Sequence, residues 1–234
     1  MSKLIAHRGL SSRAFENTEE AFLLAADHSA VFGIETDVWL TKDNILVCSH
    51  EPTPFAEPNS VLEIKDSYYD RISKLPLNYK ICKYKFKVPH FICTFDRYLE
   101  ICKEFNKVAV IEIKQAGLDE TALTLLVDKV KKANMLNKTH FISFDWESLK
   151  KVQLIETKST VFALADTEQK IQSALDFGFN ISIRGNLINK KIMKTVHEKH
   201  LLISVWTVNS KFLSSLLQKF YKVDFITSNR IVLK

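Results

Sequence analysis

The chain has 234 residues, of which 46% are hydrophobic and 26% are charged, and its formal net charge is +6 at pH 7. This hydrophobic fraction supports a core of barrel or layered α/β type and excludes a disordered chain, and the presence of only five Gly and five Pro excludes a collagen-like or linker-rich chain. No apolar run approaches the roughly 20 residues that cross a bilayer, so we predict no stable membrane insertion.

The N-terminal segment and the cysteines bear on the compartment. Met1 to Arg8 contains only three consecutive apolar residues, where a secretion signal needs a longer stretch, so we expect a cytoplasmic protein. The cysteines form no Cys-x-x-Cys pair and resemble no disulfide scaffold, so we expect them to be reduced and buried. They are Cys48, Cys82, Cys93 and Cys102. The lysines are spread along the chain, which favours a solvated basic surface over a nucleic-acid groove. The oligomeric state stays open.

The first 40 residues contain two predicted strands and one predicted helix. Lys3 to Ala6 predicts a strand, Thr18 to Ala26 a helix, and Phe32 to Val38 a second strand. We expect Asn17 to cap the helix, with Glu20 three residues further on.

The next segment breaks the alternation of strand and helix. Thr41 to Asn44 joins the run Glu35 to Leu40 directly to the run Ile45 to His50, and four residues are too few for a crossover. We therefore predict an antiparallel hairpin. With its tip in the middle of that connection, residues whose numbers sum to 85 are opposite each other, which places His50 across from Glu35.

Residues 51 to 93 form the least regular region of the sequence. We expect a loop from Glu51, a helix over Ser60 to Leu75, and a basic-aromatic connection from Pro76 to Pro89. The region is too short to enclose a core of its own. We interpret it as an insertion between barrel strands, and the whole chain, 1–234, as one domain.

From residue 107 onward, short β-branched runs alternate with helical patterns, as they do in βα units. The six predicted strands are Lys107 to Ile113, Thr139 to Phe144, Thr160 to Ala165, Asn180 to Ile183, Leu201 to Trp206 and Asp224 to Thr227. The expected helix N-caps are Asp119, Asp145, Thr167, Asn189 and Asn209. With the two upstream strands the total is eight parallel strands, which favours a closed (β/α)8 barrel over an open doubly wound sheet.

Three carboxylates lie at the C-terminal ends of predicted strands. Because side chains alternate along a strand, Glu35 and Asp37 share one face, and Glu112 shares a face with Lys114. Buried carboxylates are costly unless a cation compensates them, and a hard divalent cation would satisfy all three. The alternative is a solvated strand face paired with lysines. The position of these residues, at the end of a barrel where such folds place their chemistry, favours the metal.

Two histidines and two cations accompany these carboxylates. His7 ends the first strand and His50 ends the hairpin, so both imidazoles can exchange protons beside the predicted metal. Three carboxylates and a divalent cation leave a charge of about −1, and Arg8 and Lys114 bring it to about +1, which suits a phosphodiester anion. Arg8 can offer paired donors to phosphoryl oxygens, while Lys114 supplies a point charge. Trp206, at a strand end, either flanks the organic part of a ligand or caps the barrel core.

Eight short motifs follow one another along the chain. They are His7-Arg8-Gly9, Glu16-Asn17-Thr18, Glu35-Thr36-Asp37-Val38, Thr41-Lys42-Asp43, Ser49-His50, Glu112-Ile113-Lys114, Val205-Trp206-Thr207-Val208-Asn209 and Asp224-Phe225-Ile226-Thr227. The ordered set extends from residue 5 to about residue 227 and resembles the glycerophosphodiester phosphodiesterase family, in which the motifs occur in the same order. The chain departs from the usual pattern at Glu51, where the family has Asp, and at Phe15, where Pro is common. The Arg-Thr-Thr-rich stretch that the family has after the second histidine is missing from residues 51 to 75.

The resemblance implies a TIM-type barrel with a hairpin excursion and a short irregular insertion after the second histidine. It implies one divalent metal ion, Ca²⁺ or Mg²⁺, held by Glu35, Asp37 and Glu112, with His7 and His50 as acid and base. The implied reaction is hydrolysis of a small-molecule glycerophosphodiester to sn-glycerol 3-phosphate and an alcohol. The preferred alcohol, the metal, the assignment of acid and base, and the choice of water or a substrate hydroxyl as nucleophile stay open.

The sequence is also consistent with two functions other than hydrolysis of glycerophosphodiesters. One is a lysophospholipase D-like phosphodiesterase at a membrane surface, which aromatic residues of the irregular region would favour unless they pack under a loop. These residues are Phe55, Tyr68, Tyr69, Tyr84 and Phe86. The other is a non-catalytic barrel that binds a phosphate ligand. Loss of a metal ligand or of a catalytic histidine would indicate the non-catalytic barrel, and all five residues are present.

Overall fold

Eight parallel strands close into a barrel in the computed structural model of the chain, which describes residues 1–56, 61–78 and 89–233. The strands are β1 (Lys3–Ala6), β2 (Val31–Leu40), β3 (Leu46–Cys48), β4 (Cys93–Thr94), β5 (Val108–Ile113), β6 (Thr139–Ser143), β7 (Thr160–Ala165), β8 (Asn180–Arg184), β9 (Ile203–Trp206) and β10 (Phe225–Ser228). β1 pairs in parallel with both β2 and β10, which closes the barrel, and β3 and β4 are antiparallel additions beside β2. The prediction of a TIM-type (β/α)8 barrel is confirmed.

Helices connect the barrel strands on the outside. They are α1 (Glu19–Ala26), α2 (Tyr69–Ile72), α3 (Phe95–Glu104), α4 (Glu120–Lys132), α5 (Trp146–Ile155), α6 (Glu168–Asp176), α7 (Lys190–Glu198) and α8 (Lys211–Leu216). Short 3₁₀ turns occur at Ile64–Asp66 and Leu136–Lys138, and α8 continues into a π-helical turn at Leu217–Tyr221. Within the described ranges, no helix combines the length and the hydrophobicity that a membrane crossing requires.

Four of the five predicted N-caps in the second half of the chain are confirmed. Their side chains accept a backbone N–H from the first turn of the helix. They are Asp119, Asp145, Thr167 and Asn189. The prediction for Asn209 is wrong, because Ser210 caps α8. The Asn209 side chain instead accepts hydrogen bonds from the Ser228 hydroxyl and the Asn229 backbone N–H, which fixes the loop after β10.

Strand alternation divides the apolar side chains between the barrel interior and the layer beneath the helices. In β5, Val108 and Val110 belong to the interior cluster, whereas Ala109 and Ile111 belong to the larger cluster that includes helix residues. The interior cluster consists of Ile5, Val108, Val110, Ile142, Phe162, Leu164 and Phe225. By the same parity, the next inward position on β5 is Glu112, at the C-terminal end of the barrel.

The predicted hairpin between β2 and β3 is confirmed, but the predicted register is wrong by one residue. Val38 pairs with Cys48, so paired residue numbers sum to 86 (38 + 48) rather than 85. The reason is the turn: Thr41 accepts the Ile45 backbone N–H through its hydroxyl, and Asn44 adopts a left-handed φ of 62°, as in a three-residue hairpin loop. His50 therefore lies beyond β3 in the following loop, not across the ladder from Glu35.

The insertion after His50 contains less helix than predicted. The prediction of one helix over Ser60 to Leu75 is wrong: only the 3₁₀ turn and the four-residue α2 are helical there, and residues 61–63 are irregular. Ser60 lies outside the described residues. Ser67 has an extended backbone, and its carbonyl accepts the Lys42 N–H, so the chain is tied to the hairpin where a helix would have to pass. The apolar side chains of this region pack in a separate cluster that includes Phe15 and Val47.

The cysteine prediction is tested in part. Cys48, Cys93 and Cys102 are buried free thiols. Cys82 lies outside the described residues, as do Tyr84 and Phe86 of the predicted basic-aromatic connection.

Candidate active site

A cleft opens at the C-terminal end of the barrel strands. Seven of the predicted site residues line it, and the eighth, Asp37, lies in the carboxylate cluster at its floor. The seven are His7, Arg8, Glu35, His50, Glu112, Lys114 and Trp206. The rest of the wall is formed by Ile142, Phe144, Leu164, Ser182, Thr207 and Thr227. The lining therefore combines charged residues with apolar and hydroxyl-bearing ones.

The three carboxylates come from two neighbouring strands. Glu35 and Asp37 lie on β2, and the parallel register places Glu112 of β5 directly beside Asp37. One oxygen from each carboxylate lies within 4.8 Å of the others. Glu35 and Asp37 are 2% and 1% exposed, so their charges are removed from water.

Burial and mutual repulsion shift the pKa values of these carboxyl groups. Burial raises the pKa of Glu35 well above its ordinary range, and repulsion from Asp37 adds to this. The same two causes raise the pKa of Glu112 to about 7. For Asp37, burial acts in the same direction, but Arg8 and Lys114 outweigh it and hold its pKa below the ordinary value. When all three carboxyl groups are ionised, the positive charges of Arg8 and Lys114 do not neutralise the cluster.

The cluster fits a hard divalent cation. Its donors are carboxylate oxygens, which Ca²⁺ and Mg²⁺ prefer. Asp37 Oδ1 is buried and accepts no hydrogen bond, so it has a lone pair to offer a ligand. The three carboxylates are therefore the residues of this site that could hold a metal ion.

Asn17 supports Asp37 and does not cap α1, so the predicted cap is wrong. Its amide nitrogen donates to Asp37 Oδ2 at 2.9 Å, and its amide oxygen accepts the Thr36 hydroxyl at 2.8 Å. Asn17 has a left-handed φ of 56°, which directs its side chain toward β2, whereas Thr18 has the extended backbone of a cap and accepts the Ala21 N–H. Asn adopts a left-handed φ more readily than most residues, and this property could have indicated from the sequence that Asn17 is not the cap.

Arg8 joins several parts of the site from the turn after β1. Its backbone N–H donates to Glu35 Oε2 at 2.8 Å, its Nε lies 3.3 Å from Asp37 Oδ2, and its Nη1 donates to Glu16 Oε1 at 2.7 Å. Burial acts to lower the pKa of the guanidinium, but Asp37, Glu16 and Glu35 raise it above its ordinary value, so Arg8 stays charged. Glu16 was left out of the charge count from sequence.

Including Glu16 changes the expected charge of the metal-loaded site. Four carboxylates, a divalent cation and two basic side chains sum to about zero (−4 + 2 + 2) rather than about +1. Lys114 carries one of these charges, and its Nζ donates to Glu112 Oε1 at 3.1 Å and lies 3.6 Å from Asp37 Oδ1. Burial acts to lower the pKa of Lys114, but Asp37 and Glu112 raise it, so the ammonium keeps its proton.

Both predicted histidines reach the cleft, and each is oriented through Nδ1. His7 Nδ1 bonds to Asn229 Oδ1 at 2.7 Å, and His50 Nδ1 bonds to Glu51 Oε1 at 2.7 Å. Because both partners are acceptor oxygens, each Nδ1 carries a hydrogen and each Nε2 is left to act on a ligand. Burial lowers the pKa of His7 to about 4, with Arg8 adding to the effect, so its ring is neutral at pH 7. Asn229 was not identified from the sequence.

Trp206 forms an aromatic corner with Phe144 in the wall of the cleft. The two rings are perpendicular, at 89°, with centroids 6.1 Å apart. Trp206 also packs against the interior cluster of the barrel. Trp206 therefore caps the core, as one of the two sequence interpretations has it, while its contact with the organic part of a ligand stays a prediction. Phe144 was not identified as a site residue, although it follows β6 at the same end of the barrel.

Comparison with known proteins adds to this geometry. The model of the glycerophosphoryl diester phosphodiesterase family matches residues 7–233. The chain belongs to this family. Among curated members, the glycerophosphodiester phosphodiesterase of Bacillus altitudinis is 25% identical over 222 residues, which cover 90% of this chain and 88% of that protein. The one from Caldanaerobacter subterraneus is 34% identical over 155 residues, covering 64% of this chain and 61% of that protein.

Solved structures of other proteins share the barrel. A phosphodiesterase of Oleispira antarctica, solved in complex with the product sn-glycerol-3-phosphate, superposes with a TM-score of 0.83 at 18% identity, covering 99% of this chain and 94% of that one. A glycerophosphodiester phosphodiesterase from Agrobacterium tumefaciens gives a TM-score of 0.80 at 21% identity, covering 98% and 97%. At these identities the likeness concerns the fold.

Proposed function

We propose that this family member is a metal-dependent phosphodiesterase that hydrolyses glycerophosphodiesters to sn-glycerol 3-phosphate and an alcohol. The observation that carries the proposal is the convergence of a buried three-carboxylate cluster and two oriented imidazoles on one cleft. The product bound to the Oleispira antarctica phosphodiesterase supports the substrate class. The retention of every predicted ligand and histidine in one cleft argues against a non-catalytic phosphate-binding barrel.

Glu35, Asp37 and Glu112 would hold the divalent cation. When bound, such a cation supplies Lewis acidity and charge stabilisation to chemistry at a phosphoryl group. Asn17 keeps Asp37 in place, and Lys114 orients Glu112 through its hydrogen bond, so the protein fixes two of the three ligands from outside the cluster.

His7 and His50 would move the protons of the reaction. One unprotonated Nε2 removes the proton of the attacking hydroxyl as that oxygen forms a new P–O bond and the P–O bond to the alcohol breaks. The other ring acts as an imidazolium and donates its Nε2 proton to the departing alkoxide. The same two groups serve whether the attacker is water or a neighbouring hydroxyl of the substrate. Asn229 and Glu51 orient the two rings by accepting a hydrogen bond from Nδ1–H, which leaves each Nε2 available to the ligand.

Arg8 and Lys114 would bind the anionic phosphoryl group. Since Arg8 already gives Nη1 to Glu16, it contacts a phosphoryl oxygen through its remaining donors and not through a full bidentate pair. Lys114 faces the cleft as a point charge, and both cations stabilise negative charge that builds on the phosphoryl oxygens.

The test is product release from three diesters by protein treated with a chelator and then reloaded with Ca²⁺ or Mg²⁺. We expect sn-glycerol 3-phosphate from glycerophosphocholine and glycerophosphoethanolamine only after metal is restored. Release of choline from lysophosphatidylcholine at a comparable rate would favour the lysophospholipase D-like alternative. If no diester is cleaved with either metal, the hydrolase proposal is wrong.

Variants connect this assay to the two imidazoles. His7→Ala and His50→Ala should each lower turnover about 10²- to 10⁴-fold, the usual contribution of a general acid or base, with little change in metal affinity. His197→Ala, at an exposed position on α7, is the matched control and should keep full turnover. Unchanged turnover in the His7 or His50 variant would remove that residue from the mechanism.

A further inference from the structure

The rim of the cleft beyond its aromatic corner carries a basic residue with no assigned role. Arg184 is the last residue of β8 and lies in register with Trp206 of β9. Ser182, two residues earlier, is buried and lines the cleft. Because alternate residues of a strand share a face, Arg184 is on the cleft side of β8, above Ser182.

Both rings of the aromatic corner already have a cation of the protein as a neighbour. The Arg184 guanidinium carbon lies 5.4 Å from the Trp206 ring centroid, and Lys170 Nζ lies 5.7 Å from that of Phe144. Pairs of aromatic rings are the usual receptor for quaternary ammonium groups. A quaternary ammonium group bound at this corner would meet the positive charges of Arg184 and Lys170.

The charges on this part of the rim do not cancel. Lys170 is paired with Asp166 at 2.8 Å, whereas no carboxylate among the described residues forms an ion pair with Arg184. Asp166, Lys170 and Arg184 together therefore leave a charge of about +1 (−1 + 1 + 1). The exposed guanidinium keeps its N–H donors available for hydroxyl or anionic oxygens of a ligand.

We propose that Arg184 is a specificity-determining residue that selects the alcohol of the diester. The alcohol lies along the wall formed by Phe144 and Trp206, and a hydroxyl-rich or anionic alcohol is preferred over a cationic one such as choline. This inference rests on the proposed hydrolysis of glycerophosphodiesters. Arg184 would distinguish substrates by the charge of the departing alcohol, a property for which the carboxylates and histidines do not select.

The experiment compares three diesters of sn-glycerol 3-phosphate whose alcohols are choline, glycerol and 1-(sn-glycero-3-phospho)glycerol, which are cationic, neutral and anionic. For the metal-loaded parent protein we expect the lowest kcat/KM with the choline diester. Unit charges several ångströms apart in a nearly aqueous medium change a rate or binding constant by about threefold. Arg184→Gln should therefore raise the choline-to-glycerol ratio of kcat/KM about threefold, and Arg184→Glu about tenfold.

Lys194→Glu is the control, because it makes the same change of net charge at an exposed position on α7 away from the cleft. An unchanged ratio in Arg184→Glu, or an equal change in Lys194→Glu, would overturn the inference. Calorimetric binding of the intact diesters to the metal-loaded His50→Ala variant measures the same preference without turnover. Charge-dependent binding that Arg184→Glu reverses would support the role of Arg184 even if hydrolysis were absent, whereas binding that ignores alcohol charge would refute it.

Discussion

Replacing Glu112 with Gln should stabilise the metal-free protein at high pH. Burial and repulsion from Asp37 raise the pKa of Glu112 from its ordinary 4.5 to about 7 in the folded protein. A carboxyl whose pKa is higher in the folded state favours folding below its unfolded pKa, and this stability is lost as pH rises from about 4.5 through about 7. Glutamine has nearly the same shape as glutamate and carries no charge at any of these pH values.

The size of the effect follows from the pKa change. A rise from 4.5 to about 7 corresponds to about 3 kcal/mol against the charged form, most of which is expressed between pH 5 and pH 8. The stability advantage of Glu112→Gln over the parent should therefore grow by about 2 to 3 kcal/mol between these two pH values. Differences between parent and variant cancel contributions from groups that do not interact with Glu112, such as His140, which burial also perturbs.

Urea unfolding in the presence of a chelator, followed by tryptophan fluorescence, measures this difference. Saturating Ca²⁺ or Mg²⁺ should reverse it, because the parent gains the binding free energy and the variant has lost a ligand. Glu104→Gln, at an exposed position on α3, is the control and should show no growth of the stability difference with pH. A difference for Glu112→Gln that stays flat from pH 5 to pH 8 would refute the account of the buried cluster.

Three further substitutions test the site and its scaffold. Lys114→Met should weaken calorimetric binding of sn-glycerol 3-phosphate to the metal-loaded protein about three- to tenfold, and unchanged binding would make Lys114 a structural partner of the carboxylates. Gly9→Ala should lower the unfolding free energy far more than Gly117→Ala; both glycines have positive φ, but a Cβ at Gly9 would lie 2.6 Å from the backbone of α1, while nothing lies within 4 Å at Gly117. Equal thermal shifts would contradict this. Asn17→Ala should lower the free energy of unfolding, measured by chemical denaturation, by about 2 kcal/mol and should weaken metal affinity. Unchanged metal affinity in this variant would show that the Asn17 amide is not needed to position Asp37.

Strand parity explains why much of the site follows from sequence. Glu35 and Asp37 are two residues apart on β2, and Glu112 follows the inward positions of β5, so the alternation of side chains alone predicts their common face. The closure of the sheet follows from counting strands with helical crossovers. These features depend on the alternation of residues within single strands and helices, which can be recognised without knowing the contacts between distant parts of the chain.

The features that sequence could not supply depend on backbone conformation at single residues. The left-handed φ of Asn17 turns a plausible helix cap into a support for Asp37, and the left-handed φ of Asn44 lengthens the hairpin loop by one residue and shifts its register. The helix expected after His50 fails because Ser67 bonds to the hairpin, a contact between segments that no local pattern encodes.

Other omissions concern partners that are distant in the chain. Asn229 bonds to His7 across 222 positions, and Arg184 lies over the Trp206 ring only because β8 is parallel to β9 in that register. Glu16 is close to Arg8 in sequence, but it affects the charge of the site only through the turn that brings the two together. Each of these requires the closed barrel before it can be recognised.

The most direct test of the central claim is a metal titration of the chelated protein that follows bound metal and turnover of a glycerophosphodiester in the same samples. Our account predicts that turnover is absent without metal and reaches its maximum at one divalent ion per chain, and that Asp37→Asn neither binds this ion nor recovers turnover. Full turnover in metal-free protein, or turnover that Asp37→Asn retains, would contradict it.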